Sequence, residues 1–161
     1  MNSKLLLFFI TLLFTGCSIL STDSESSSFE ANIGSRSFKA NAEVYLSDTE
    51  MTIVGKKGDW ENSENVIFNV VDFDGTVGEY QVRQATYFFR DGNEIAEYAA
   101  FDSVTSSVTI TRLYEAFDQI KGFFEFEVIV KQPFSEFREG EKIMINGSFS
   151  ARIDRLQVAV E

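Results

Sequence analysis

The sequence predicts an all-β domain, a single antiparallel β-sandwich of about nine strands, on three observations. Apolar and polar residues alternate with period two from Phe29 onward. Turn signals recur at short intervals, and no stretch keeps a helical period for three turns. One-sided alternation with a mixed outer face favours the sandwich. The alternative is a closed β-barrel or clam around an apolar cavity, which the 17 Phe of the chain could line.

The strands follow in order. Phe29 to Ile33 and Arg36 to Leu46 come first, joined by a turn at Gly34-Ser35. Glu50 to Lys56 places Met51 and Ile53 on one face, and Asn65 to Phe73 does the same with Val66, Phe68 and Val70. Asp91-Gly92 marks a hairpin, since both residue types tolerate the positive φ of a type I′ turn. It pairs Ala85–Arg90 with Asn93–Tyr98, setting Phe88 opposite Ile95 and Tyr87 opposite Ala96. Ser107 to Tyr114 puts Val108, Ile110 and Tyr114 on one side. Gln119 to Lys131 is the clearest strand: Ile120, Gly122, Phe124, Phe126, Val128 and Val130 share its inner face. Lys142 to Ile153 closes the set, with Ile143, Ile145, Gly147, Phe149, Ala151 and Ile153 aligned.

Ahead of this domain lies a leader. Lys4 precedes an apolar run from Leu5 to Phe14, and Leu13-Phe14-Thr15-Gly16-Cys17 follows the pattern of a bacterial lipobox. A helix of ten residues rises about 15 Å, roughly half the hydrocarbon thickness, which is too short for a retained span. The expected organisation is a lipoprotein signal peptide over 1–16, a Ser-rich tether over 17–28 and a β domain over 29–156. Cys17, the single cysteine, would carry the diacylglyceryl and acyl (palmitate-type) chains. Three chains hold a protein on a bilayer where one is marginal. By resemblance to enterobacterial lipoprotein sorting, Ser18 rather than Asp after the cysteine implies the outer membrane, facing the periplasm or the exterior. The tether is acidic and serine-rich and cannot bury enough apolar surface to fold; its typical span is roughly 18 Å.

Composition excludes several classes of function. Loss of Lys4 with the leader leaves 13 basic against 25 acidic side chains, a charge of −12. That argues against nucleic acid and against electrostatic docking on anionic lipid, so the membrane contact expected is the lipid anchor itself. The chain has no histidine, which removes Ser-His-Asp and Cys-His catalysis and most catalytic zinc sites. With one cysteine there is no disulfide framework either. No cofactor, no metal and no enzymatic activity are expected.

The motif series Phe29-x-Ala31-x-Ile33-Gly34 then Phe38-Lys39-Ala40 resembles the opening of a family of small Bacteroidetes lipoproteins carrying an all-β domain of unknown function. That family opens with an Ile-Asp-Gly turn and Trp-x-Ala. Gly78-Glu79-Tyr80, Ser107-Val108-Thr109-Ile110-Thr111, Gly122-Phe123-Phe124-Glu125-Phe126 and Ile145-Asn146-Gly147-Ser148-Phe149 are similar to its later steps, in order. Phe38 stands where the family has Trp, and Ser107 where it has Gly. The resemblance implies an all-β lipoprotein domain and no particular activity.

Several residues stand out as site candidates. Trp60, in the polar connection Gly58 to Asn65, could stack on a sugar ring or fold back over a sheet edge. Phe134 and Phe137, in the long loop Gln132 to Glu141, could cap the open end of the domain or offer an apolar contact to a partner. Asp72-Phe73-Asp74-Gly75 hints at calcium, but an EF-hand loop from Asp72 would need Gly where Val77 stands, so an acidic turn is the reading. Glu125 and Glu127 share one outer face about 7 Å apart, a spacing open to glycosidase chemistry and offered equally by any solvated acidic strand. The expected function is a non-catalytic binding or accessory module for a glycan or an envelope protein, with Trp60, Phe134 and Phe137 as contacts. The alternative is a carrier of an apolar ligand inside a barrel or clam.

Overall fold

The computed structural model describes residues 26–47, 50–59, 61–101, 106–114, 118–133 and 137–155. All regular structure among them is β. The strands are β1 (Ser28–Ile33), β2 (Arg36–Ser47), β3 (Glu50–Gly58), β4 (Asn62–Val70), β5 (Gly78–Asp91), β6 (Glu94–Phe101), β7 (Ser107–Tyr114), β8 (Gln119–Gln132) and β9 (Lys142–Arg155).

They form one closed antiparallel barrel, not two packed sheets. β1 pairs with both β2 and β9, which ties the start of the chain to its end. The eight-strand circuit runs β1–β2–β3–β4–β5–β6–β8–β9 and back to β1. β7 occupies the place of β6 along the other halves of the two long strands, pairing with Gly78–Gln81 of β5 and with β8 from Gln119 to Glu125. Past the start of β1, Val44–Leu46 of β2 meets Ile153–Arg155 of β9 in a short parallel pairing. This corrects the sandwich expectation and agrees with its alternative, the closed β-barrel. Alternation reports only that each strand has one inward face, and a barrel and a sandwich share that feature. What separates them is which strands are neighbours, and the β1–β9 pairing that decides it joins segments more than a hundred residues apart.

Three details of register also differ from expectation. In the β5–β6 hairpin Asp91 pairs with Glu94, so the two-residue turn is Gly92-Asn93. Tyr87 therefore opposes Tyr98, and Phe88 opposes Glu97. Gly92 has φ 57° whereas Asn93 is not in the positive region, so glycine takes the first central position as a type II′ turn requires. In β7 an irregularity between Ile110 and Arg112 turns Leu113, not Tyr114, towards the interior, opposite Ile120. β4 starts at Asn62 and ends at Val70, which brings Glu64 into a strand and leaves Phe73 buried in the following loop.

The interior is filled by aromatic side chains. Phe68 from β4 lies 4.9 Å from Phe124, 5.3 Å from Phe126 and 6.4 Å from Phe149, ring centre to ring centre. Phe29 from β1 stacks on Phe124 at 5.0 Å and meets Phe38 edge-on at 5.9 Å. Such offset and edge-to-face pairs are the favoured geometries of aromatic quadrupoles. So many large rings fit because small residues face them. A Cβ at Gly147 would lie 2.0 Å from the Glu30 carbonyl oxygen and 2.8 Å from the Phe124 ring. Glycine there lets β1 approach β9 closely at a barrel corner.

Candidate functional site

The outer wall formed by β7, β8, β9 and β1 carries a groove that runs across the strands. Pairing sets two rows of outward side chains. One row is Thr109, Phe123, Ser148 and Glu30. The other is Ser107, Glu125, Asn146 and Asn32, continued by Ser37 on β2. Between them Phe124, Gly147 and Ala31 turn inward, and their row supplies the floor. The open space enclosed is about 530 Å³. Neighbouring strands lie about 4.8 Å apart, so four of them give the groove a length of roughly 14 Å.

Phe123 is the conspicuous side chain of this wall. It is 59% exposed, while its sequence neighbour Phe124 is buried in the barrel. The groove residues around it are hydroxyls, amides and carboxylates, and Lys121 precedes it in the same outward phase of β8. Asn32 Nδ2 donates to Asn146 Oδ1 at 3.2 Å, which fixes both amides on one wall of the groove. At the margin Lys39 Nζ donates to Glu30 Oε1 at 2.8 Å. One strand step beyond Glu125, Glu127 is held by Lys142 Nζ at 2.7 Å. The two carboxylates of that face are thus in different states: Glu127 is paired, and Glu125 faces the groove between Ser107 and Asn146.

A second polar constellation lies at the barrel end that carries the β1–β2, β3–β4, β5–β6 and β8–β9 connections. Glu64 is 5% exposed and accepts from the Tyr87 hydroxyl at 2.9 Å and from the Arg36 guanidinium. Arg36 Nη1 also donates to the Tyr87 oxygen at 3.1 Å, and the guanidinium lies 5.6 Å from the centre of the Phe89 ring. Lys57 Nζ approaches Glu64 Oε2 at 3.8 Å. Burial, followed by the Glu64 carboxylate, pushes the Tyr87 phenol well above its ordinary value. Every polar atom named here is satisfied, so the constellation reads as a structural plug. The sequence had given no notice of Glu64 because its strand was expected to begin one residue later. With β4 extended to Asn62, the inward phase of Val66 and Phe68 continues to Glu64.

The sequence-predicted candidates fall as follows. Cys17, Trp60 and Phe134 lie outside the described residues. Phe137 is half-buried at the plugged barrel end, edge-on to Tyr98 at 5.7 Å and against Gly34, whose missing Cβ would sit 3.2 Å from its ring. It is not part of the groove. Asp74 is engaged within its own turn: its Oδ1 accepts from the Thr76 amide at 3.0 Å, the Thr76 hydroxyl at 2.8 Å and the Tyr80 hydroxyl at 2.5 Å. Those bonds, the Tyr80 bond foremost, hold its carboxyl below the usual range. Asp72 takes a positive φ of 56° in the same turn. Phe123, the central side chain of the groove, is not among the sequence-predicted candidates. The available signal was a large aromatic in the polar phase of a strand.

Comparison with known proteins found no matching family model, no matching curated protein and no matching solved structure. The groove is therefore interpreted from its own chemistry.

Proposed function

We propose that this protein is a non-catalytic glycan-binding module, held on the outer membrane by lipid at Cys17. The observation that carries the reading is Phe123, an exposed ring that stands in one of two rows of hydroxyl, amide and carboxylate groups lining an open groove. A sugar ring has an apolar C–H face and a polar rim. A flat aromatic takes the first, and side chains with both donors and acceptors take the second. Fixed amides such as Asn32 and Asn146 need little ordering on binding, which favours affinity. A catalytic reading has less support, since the chain has no histidine and Glu127 is neutralised by Lys142.

The tether suits this role. Ser28, Glu30 and Asn32 alternate outward on β1, so the chain leaves the domain two residues from the groove. With a span of roughly 18 Å for the segment before it, the groove would work close to the membrane surface. The carrier reading has the closed barrel in its favour, but the lumen is taken up by Phe29, Phe68, Phe124, Phe126 and Phe149.

Affinity electrophoresis through gels containing single soluble polysaccharides tests the proposal. At least one polysaccharide should retard the wild-type domain and leave Phe123→Ala unretarded. Retardation equal in both proteins would move the site elsewhere. No retardation by any polysaccharide, with capture of an envelope protein instead, would replace the glycan reading.

A further inference from the structure

We infer that the groove selects neutral or amino-bearing sugar chains over acidic ones, and that Glu125 is the specificity-determining residue. This rests on the glycan reading above. The groove carries two carboxylates: Glu125, in the row of Ser107 and Asn146 that faces Phe123, and Glu30, in Phe123's own row with Thr109 and Ser148. They differ in what surrounds them. Glu30 is compensated by Lys39 at the groove's margin. Glu125 has uncharged neighbours across both strand pairings; the nearest outward cation of its own strand, Lys121, lies beyond Phe123, and Lys142 of β9 is engaged by Glu127.

The consequence is chemical. A carboxylate accepts hydrogen bonds and cannot donate, so Glu125 fits ligand groups that bring protons: hydroxyls or, better, an ammonium. A uronate or sulfate in the same position brings only acceptors and a like charge. The mature chain's charge of −12 adds a long-range field of the same sign. One unfavourable charge pair about 4 Å apart in water corresponds to about fivefold in affinity. Because the groove is open, salt should reduce that discrimination.

The experiment compares dissociation constants of the wild-type domain and Glu125→Gln for three oligosaccharide classes of similar length: neutral glucans, partly deacetylated chitin fragments and oligouronates. Gln keeps an acceptor and the shape of the side chain while removing the charge. For the wild type the order expected is amino-bearing or neutral chains tighter than uronates by at least about fivefold at low salt, shrinking in 0.5 M salt as screening shortens to about 4 Å. In Glu125→Gln the uronate-to-neutral ratio should shift about fivefold towards the uronate. Wild-type preference for uronates, or an unchanged ratio in Glu125→Gln, would overturn this inference while leaving the groove a glycan site. Binding of none of the three classes would overturn both.

Discussion

Gly55 in β3 faces the ring of Phe29 in β1 across the barrel interior, and a Cβ on Gly55 would come within 2.4 Å of Phe29 Cδ1. Phe29 is fully buried, with rings of Phe38, Phe68 and Phe124 around it. The void left by glycine is thus the seat of the ring, a small-to-large match between strands that are not neighbours in the sheet. Gly55→Ala should destabilise by about 1–3 kcal/mol, the usual cost of overpacking, seen as a lower urea midpoint. An unchanged midpoint would mean that Phe29 does not point where the structure puts it.

Phe123 and Phe124 are adjacent on β8 and face opposite ways, which makes them a test of register. Phe124→Ala removes a buried ring and should cost about 3–5 kcal/mol. Phe123→Ala removes an exposed one and should stay within about 0.5 kcal/mol of wild type. A shift of β8 by one residue would exchange the two results.

The Tyr87–Glu64–Arg36 plug predicts an alkaline weakness. The folded-state pKa of Tyr87 is raised above the unfolded value of 10.0. Its stabilisation is therefore fully present below pH 10 and falls as pH rises past that value towards the folded pKa. Urea midpoints measured from pH 8 to 11 should fall in the wild type at the alkaline end. The fall should be shallower in Tyr87→Phe, whose midpoint at pH 8 should be lower because Glu64 loses a donor. Parallel pH curves for the two proteins would remove Tyr87 from the account.

Lipidation at Cys17 is checked by mass and fractionation. Wild-type protein expressed in a Gram-negative host should lack residues 1–16, carry acyl chains on Cys17 and fractionate with the outer membrane. Cys17→Ser should be released or remain unprocessed. An unmodified Cys17 in mature wild-type protein would contradict the anchor.

Much of the fold was legible in the sequence because alternation is a local signal. The inward faces of β8 and β9 were correct residue for residue, since Phe124, Phe126 and Phe149 recur on an unbroken period of two. Closure was not legible, because the pairing of Phe29 with Phe149 joins strands from the two ends of the domain. The β7 irregularity was hidden for a different reason: one extra residue reverses the phase, and nothing at Thr111 announces it. The groove lay deeper still. Phe123 becomes conspicuous only when Ser148, Asn146, Glu30 and Asn32 arrive from two other strands. Trp60 and Phe137 drew notice from sequence because they sit in polar loops, a cue that does not separate a binding anchor from a plug.

The central claim is that Phe123 anchors a sugar in the β7–β8–β9–β1 groove. It is tested most directly by calorimetric titration of the oligosaccharide corresponding to the strongest retarding polysaccharide, into wild type and Phe123→Ala of matched melting temperature. The account predicts a dissociation constant at least about thirtyfold weaker in Phe123→Ala, as for an interface anchor contributing about 2 kcal/mol or more. Equal dissociation constants in the two proteins would contradict it.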